Sequence, residues 1–261
     1  MKQLIALFAL FGFAGTLYAQ NIIADRPDQT ESSVTISVRS LQIESGFLME
    51  NYGGERSFLL PATLLRYGLS NRVELRLFNY LQSVSENNRS DFRFGISDFE
   101  AGLKIQLLRK EDINTEIAFI SHLLIPSGSN QLSNKMFGTI NKLAFSHQIT
   151  DYLGLGYNLG YNNFGKGCGD FTYSLVLGFA LSDRLGFYAE PYGEFAGFAR
   201  WITNFDTGFT FLVKNNLQLD ASYGFGLNKT MNFVSVGFSW IIHGKRYWTQ
   251  RKGFTGFWNF G

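Results

Sequence analysis

The stretch from Asp206 to Leu227 constrains the fold most, because apolar and polar residues alternate through it with a period of two. Such alternation is typical of a β-strand whose two faces meet different surroundings. The polar residues 214–216 interrupt the pattern and predict a tight turn between two antiparallel strands. One face of the second strand consists of Leu217, Leu219, Ala221, Tyr223, Phe225 and Leu227. A soluble sheet needs a second layer to cover such a face, so the recurrence of this unit decides the fold class.

The unit recurs along the chain between residues 41 and 242. Short turns are predicted near residues 71, 111, 151, 183 and 215, and longer loops at 51–56, 82–96, 125–137 and 162–169. Between these turns and loops lie the predicted strands, the second of which covers residues 62–69. Strands of about ten residues, with short turns at one end and longer loops at the other, are typical of outer-membrane barrels. Because backbone groups in lipid must all be paired, such a sheet has to close. We therefore predict an all-β fold, a transmembrane antiparallel outer-membrane β-barrel of about twelve strands.

A soluble β-sandwich or an exported lipocalin-like barrel is the alternative, since soluble sheets alternate too. The apolar faces carry almost no charge, whereas the exposed face of a soluble sheet would carry Lys and Glu. Charged residues make up 17% of the chain, against about 25% in globular proteins. The face with the charges is also the glycine-rich one, which suits a crowded barrel interior. These observations favour the membrane barrel.

The start of the chain is typical of a secretory signal peptide. Lys2 precedes an apolar run, residues 4–13, that is too short to span a bilayer of about 30 Å. We predict a signal peptide, a periplasmic lead-in or partial plug, the barrel and a basic aromatic tail, over residues 1–19, 20–40, 41–242 and 243–261. The single cysteine, Cys168, excludes an intrachain disulfide.

Charged residues on the polar faces form the candidate site, a constriction of the lumen. The candidates are Arg66, Glu74, Arg76, Glu100, Lys104, Glu116, Glu190, Asp206 and Asp220, with Glu44 and Lys142 as further members. One interpretation is a constriction that selects permeants by charge and hydrogen bonding. The other, which we favour, is a ladder of ion pairs that fills the interior, because twelve strands leave a narrow or nearly filled pore. In the later strands the inward charges, including Glu194, are acidic and would disfavour anions in a water-filled lumen, and Arg26 is a candidate partner for one of them.

An enzyme is not indicated by any group of residues. His147 lies on the face assigned to lipid, while Ser146 beside it points the other way, so the two cannot form a nucleophile and base. The sequence has no glycine-framed serine motif and no metal-ligand spacing. We expect no catalytic residues, no cofactor and no metal, and the net charge of +2 does not suggest a nucleic-acid partner.

Five segments together carry a resemblance to a known family. They are Asp25–Ser32 (DRPDQTES), Gln42–Gly46 (QIESG), Leu64–Leu77 (LLRYGLSNRVELRL), Ser97–Leu107 (SDFEAGLKIQL) and Asn215–Asn228 (NNLQLDASYGFGLN). In this order they resemble the outer-membrane transporters of the MetA pathway of phenol degradation. The resemblance implies an outer-membrane barrel with a transport role and offers no catalytic residues. The family's last strand closes the chain soon after a motif like Val234–Trp240, whereas this chain continues, which leaves Trp240 and Phe260 as alternative assembly signals.

The expected function is that of a passive channel in the outer membrane of a Gram-negative bacterium, with small solutes, hydrophobic or aromatic ones among them, as permeants. The alternative is a closed structural or surface-interaction barrel that transports nothing. The expected partners are outer-membrane lipids, an unidentified small-molecule permeant and the barrel-assembly machinery during biogenesis. The basic tail, residues 243–261, would bind an anionic membrane surface or form a periplasmic extension.

Overall fold

The computed structural model of the chain describes residues 22–86, 93–109 and 114–244. The predicted signal peptide, the tip of the loop at 87–92, the turn at 110–113 and the tail from residue 245 lie outside these residues. The strands are β1 (Leu41–Tyr52), β2 (Glu55–Gly68), β3 (Val73–Glu86), β4 (Arg93–Ile96), β5 (Phe99–Leu108), β6 (Thr115–Ile125), β7 (Gly138–Gln148), β8 (Leu153–Asn163), β9 (Asp170–Ala180), β10 (Leu185–Ala196), β11 (Arg200–Lys214), β12 (Leu217–Gly226) and β13 (Met231–Ile242). Within the described ranges, no helix is long and apolar enough to cross a bilayer.

The strands close into an antiparallel barrel, as the sequence predicts. β1 pairs with β2 on one side and with β13 on the other, and the remaining strands pair in chain order. β4 and β5 both pair with β3 and follow each other along it, with Ser97 and Asp98 between them. They form one interrupted barrel strand, so the closed sheet has the predicted twelve.

Several strands extend further towards the loop end than the sequence pattern predicts. The connection between β1 and β2 is a turn at Gly53 and Gly54 instead of a loop over 51–56, and β2 begins at Glu55 instead of residue 62. The predicted loop over 82–96 is strand at both ends, because β3 continues to Glu86 and β4 starts at Arg93. In these extensions polar residues stand on both faces, so the alternation that marks a lipid-exposed strand is lost.

The two faces of each strand have different surroundings, as a membrane barrel requires. On β11, Phe209 is 50% exposed on the outside, whereas Asp206 and Thr210 point inward and are buried. On β12, Leu219 and Tyr223 are exposed outside while Asp220 is buried inside. An exposed apolar face around the whole barrel matches the hydrocarbon of a bilayer, and a buried polar face forms the lumen.

Residues 22–40, called the inner segment below, lie inside the barrel. The backbone N–H of Ile22 donates to the carbonyl of Asn215 at the turn end, 3.1 Å away. The segment then rises to mid-height around residues 28–31 and returns to the turn end, where Val38 forms a bridge with Gly68. Most of its side chains are buried. The lumen is therefore occupied in its lower half by the chain's own N-terminal region.

Candidate functional site

Asp25 of the inner segment is the centre of a buried ion network. Its carboxylate accepts hydrogen bonds from Arg76 Nη1 at 2.6 Å and Lys104 Nζ at 2.9 Å, and Arg66 Nη1 lies 3.3 Å away. Its backbone N–H donates to Glu44 Oε2 at 2.9 Å. The three cations stand on β2, β3 and β5, so one carboxylate joins the inner segment to three strands of the barrel.

Arg66 connects the inner segment to the barrel through its whole guanidinium group. Nε and Nη2 donate to the two oxygens of Glu74, at 2.7 and 3.0 Å, and Nη1 donates to Glu44 at 2.8 Å. The remaining donor capacity is used on the backbone carbonyls of Ile23 and Val34, at 3.0 and 3.2 Å. The rigid fork of arginine suits such a bidentate contact, and the buried Arg66 is fully paired by it.

Glu31 continues the network towards the loop end. Arg76 Nη2 donates to one of its oxygens at 2.6 Å and Lys142 Nζ to the other at 2.7 Å. Arg76 Nε also donates to His122 Nε2 at 3.0 Å, which leaves Nδ1 of that ring to donate to Glu100, also at 3.0 Å. The contacts therefore reach from β3 to β7 through one residue of the inner segment.

The network is balanced in charge. Its cations are Arg66, Arg76, Lys104 and Lys142, and its carboxylates are Asp25, Glu31, Glu44 and Glu74. Buried charges persist only when they are paired and hydrogen-bonded. Two of the four carboxylates come from the inner segment, so residues 22–40 supply half of the negative charge that balances these four cations.

The electrostatics of the inner segment differ between its two aspartates. Burial raises the pKa of Asp25, but the opposing charges of Arg66, Lys104 and Arg76 dominate and hold that pKa well below 3.8. Burial, together with the carboxylates of Glu190 and Asp206, raises the pKa of Asp28 well above 3.8. Asp25 is thus bound as an anion, whereas Asp28 lies where a negative charge is disfavoured.

Two of the inward acids of the later strands, Glu190 and Asp220, contact the inner segment, whereas Glu194 lines the upper part of the lumen. Arg26 Nη2 donates to Asp220 Oδ1 at 2.9 Å, so Asp220 is the inward acid with which Arg26 pairs. Glu190 accepts hydrogen bonds from the backbone N–H of Gln29 at 2.6 Å and from the hydroxyl of Thr30. Asp206 accepts one from the hydroxyl of Tyr188 at 3.3 Å.

A pair of glycines makes room for Arg26. Gly46 on β1 and Gly237 on β13 face each other in the register. A Cβ atom at either position would lie 2.4 Å from Arg26 Nη2, well inside van der Waals contact. The guanidinium therefore lies over a patch of bare backbone on its way to Asp220, and these glycines are needed for that close approach.

Glu116 is the predicted site residue that lies outside the contacts of the inner segment. It is buried near the turn end, where Gln106 Nε2 donates to it at 3.0 Å and Arg109 Nε lies 3.3 Å away. The other eight candidates all touch residues 22–40 directly or, for Glu100 and Asp206, through a neighbouring side chain or cluster.

Two cavities occupy the lumen above the inner segment. The upper cavity, of about 410 Å³, lies at the loop end, where Glu50, Tyr52, Asn162, Glu194 and Asn204 line it. The lower cavity, of about 360 Å³, reaches down to residues 25–31, and its apolar lining residues are Leu48, Leu59, Leu64, Phe78, Ile140 and Phe233. The cavities share several lining residues, including Gln29 and Lys142, and together they form one space above the inner segment.

Sequence reasoning missed Asp25, Glu31 and His122 as members of the network. His122 lies on the inner face of β6, but a lone histidine in an alternating strand gives no sign of its two partners, Arg76 and Glu100. The inner segment has no periodicity from which to read which of its side chains meets which strand. The geometry also separates Ser146, whose hydroxyl contacts Ser33 at 2.8 Å inside the barrel, from His147, whose Nδ1 contacts Thr115 at 2.8 Å outside.

Comparison with known proteins identifies the family. The sequence profile of the family described as "Putative MetA-pathway of phenol degradation" matches residues 24–239. The chain belongs to this family. The match begins within the inner segment and ends in β13, so it covers both the barrel and the residues inside it. The resemblance seen in the sequence motifs is confirmed. A comparison with curated protein sequences finds no match.

Solved structures with a similar fold are outer-membrane barrels. An outer membrane channel from Pseudomonas putida F1 aligns with a TM-score of 0.65 and 12% identity, over 83% of this chain and 100% of that one. The KdgM porin in complex with disordered oligogalacturonate aligns with a TM-score of 0.57 and 11% identity, over 77% of this chain and 99% of that one. The NanC porin aligns with a TM-score of 0.51 and 9% identity, over 77% and 98%. At these identities the likeness concerns the fold.

Proposed function

We propose that this protein is an outer-membrane channel for the passive passage of small solutes, in which the inner segment is a displaceable plug. The observation that carries the proposal is the position of residues 22–40 between the cavities and the turn end of the lumen. Apart from the backbone hydrogen bond of Ile22 to Asn215 and the short backbone pairing of residues 38–40 with Gly68, the segment is joined to the barrel through side-chain groups. A segment attached in this way can leave its position without breaking a strand ladder.

The lining of the lower cavity supports small hydrophobic or aromatic solutes as permeants. Six apolar side chains line this cavity, together with charged residues of the network. Binding sites for small molecules typically combine a largely apolar lining with a few placed polar groups. The family description, which refers to phenol degradation, supports a small aromatic solute, and the channel and porin neighbours support a channel without indicating its solute.

A closed structural barrel is the second candidate, because the ion network is balanced and the inner segment fills the lower lumen. In that case the contacts of the inner segment would only stabilise the barrel, as expected if the inward charges form a ladder of ion pairs that fills the interior. The two functions differ in one respect: a channel requires the inner segment to move, and a structural barrel does not.

A reversible crosslink between the inner segment and the barrel tests the proposal. Ser33 Oγ and Ser146 Oγ are 2.8 Å apart, a separation that suits replacement of both by cysteine. In a Cys168→Ser background, Ser33→Cys with Ser146→Cys is reconstituted in liposomes, and uptake of 2-phenylethanol and single-channel conductance are measured before and after reduction. We expect no uptake above protein-free liposomes in the oxidised form, and uptake after reduction.

The matched control crosslinks two strands without touching the inner segment. Ser45 Oγ on β1 and Thr63 Oγ1 on β2 also lie 2.8 Å apart, and both point away from the lumen. Oxidation of Ser45→Cys with Thr63→Cys is expected to leave uptake unchanged. If the reduced protein and the control are correctly folded but show neither uptake nor conductance, the channel is refuted and the structural barrel remains.

A further inference from the structure

Two carboxyl groups face each other in the barrel wall beside the inner segment. Glu190 on β10 and Asp206 on β11 are opposite each other in the register, and both residues are completely buried. Their side chains lie within hydrogen-bonding reach of each other. Among the described residues, no ion pair includes either of them. Two carboxylates in one buried place cannot both be ionised, so the pair holds a proton.

The hydrogen bonds of the pair show which of its members carries the proton. Both oxygens of Glu190 accept hydrogen bonds, one from the backbone N–H of Gln29 at 2.6 Å and one from the hydroxyl of Thr30, which favours its ionised form. Asp206 Oδ2 accepts a hydrogen bond from Tyr188 at 3.3 Å, whereas the buried Oδ1 has no donor within the described part of the chain. A proton on Oδ1 satisfies this oxygen by donating to the facing carboxylate. Asp206 is therefore the protonated member.

The proton lies beside the tip of the inner segment, residues 28–30. Gln29 and Thr30 both belong to the tip, so the acid pair is one of its attachments to the barrel. The charged and titratable groups around the pair are Asp25, Arg26 and Asp28 of the inner segment, Tyr188 and Tyr192 of β10, and Asp220 of β12. Arg26 is bound to Asp220 at 2.9 Å, so its charge is used on that acid. The proton thus limits the negative charge that the tip meets.

We propose that this proton is a pH switch for the plug: it keeps the tip docked on Glu190 and Asp206, and its loss at alkaline pH releases the inner segment. Loss of the proton to water leaves two facing carboxylates next to Asp28. Only release of the segment lets water reach all three acids. A proton that is held in the docked form stabilises docking at low pH, and this contribution is lost as the pH rises. The inference rests on the proposed channel function, since it names the condition under which the plug moves.

Release is measured by hydrogen exchange between pH 6 and pH 9, with the refolded full chain in detergent. Protection is expressed relative to the intrinsic exchange rate at each pH. We expect peptides from residues 22–40 to lose up to about tenfold in protection per pH unit for the proton that is lost, while peptides from the strands keep theirs. The range ends below the ordinary titration of tyrosine and lysine, at about pH 10.

Two variants replace the shared proton by an amide N–H that does not titrate. In Glu190→Gln the new amide group donates to Asp206 Oδ1, and in Asp206→Asn it donates to Glu190. Both should keep the protection of residues 22–40 at pH 9 about tenfold above that of the unmodified protein. Glu194→Gln is the matched control, because it removes the same charge from the same strand at the upper cavity. It should lose protection as the unmodified protein does.

Uptake of 2-phenylethanol by liposomes, measured at pH 6 and pH 9, separates this inference from the channel function. Release at pH 9 that both amide variants suppress, without any uptake, would uphold the switch and refute the channel. Uptake at both pH values with constant protection of residues 22–40 would uphold the channel and refute the switch. A loss of protection in Glu190→Gln and Asp206→Asn as large as in the unmodified protein would also overturn the inference.

Discussion

Replacing Asp25 by asparagine should release the inner segment from the barrel. The change keeps the shape of the side chain and removes one negative charge from a buried network of four cations and four carboxylates. Arg76 would keep Glu31 and Glu74 as partners. Lys104 would not, because Asp25 is the carboxylate within 4 Å of its ammonium group among the described residues. A fully buried lysine would thus lose its counter-charge.

The expected size of the effect follows from the burial of this pair. Both side chains of the Lys104 and Asp25 pair are almost completely inaccessible, with exposures of 0% and 2%. Removing one partner of a buried ion pair costs about 3–5 kcal/mol. Since about 1.4 kcal/mol corresponds to a tenfold change, the ratio of docked to released segment should fall about a hundredfold to three-thousandfold.

Hydrogen exchange measured by mass spectrometry reports this ratio directly for peptides from residues 22–40. In Asp25→Asn we expect the protection of these peptides to fall by about a hundredfold or more, while peptides from β8 to β12 keep theirs. The control is Asp183→Asn, which removes an exposed carboxylate from the turn between β9 and β10. Protection within about twofold of the unmodified protein in both variants would refute the role assigned to Asp25.

Three further predictions concern the segment and the barrel. Gly237→Ala should displace the guanidinium of Arg26 from Asp220, because the added methyl group would lie 2.4 Å from Nη2, and should lower exchange protection at residues 25–29. Docking raises the pKa of the Asp28 carboxyl group well above 3.8, so its contribution to docking is complete below pH 3.8 and is lost as the pH rises from there. Asp28→Asn should therefore reduce the loss of exchange protection of residues 22–40 on raising the pH. Phe209→Arg, on the lipid face, should destabilise the folded barrel by about 2–4 kcal/mol in urea titrations in lipid, whereas Thr207→Ser should not.

The barrel could be predicted from the sequence because its signal is local. A lipid-facing residue such as Phe209 and a lumen-facing residue such as Asp206 alternate along one strand, and each strand repeats the pattern independently. The loop-end extensions were missed for the same reason, since Glu55 to Leu59 and Gln82 to Glu86 pair by backbone hydrogen bonds without an alternating pattern. A ladder of backbone hydrogen bonds needs a neighbouring strand in space, and the hydropathy pattern of one strand does not report that neighbour.

The site could be predicted only in part, because its inward charges are visible in the sequence but their partners are not. Alternation places Arg66, Arg76 and Lys104 on the inner face, and the register brings them together on β2, β3 and β5. Their shared partner, Asp25, lies 41 to 79 residues away in a stretch without periodicity. Its position depends on how the inner segment folds back inside a closed barrel, which is a property of the whole chain. Release of the segment would remove Asp25 and Glu31 together, which leaves Lys104 and Lys142 without their carboxylate partners, whereas Arg66 and Arg76 keep Glu74.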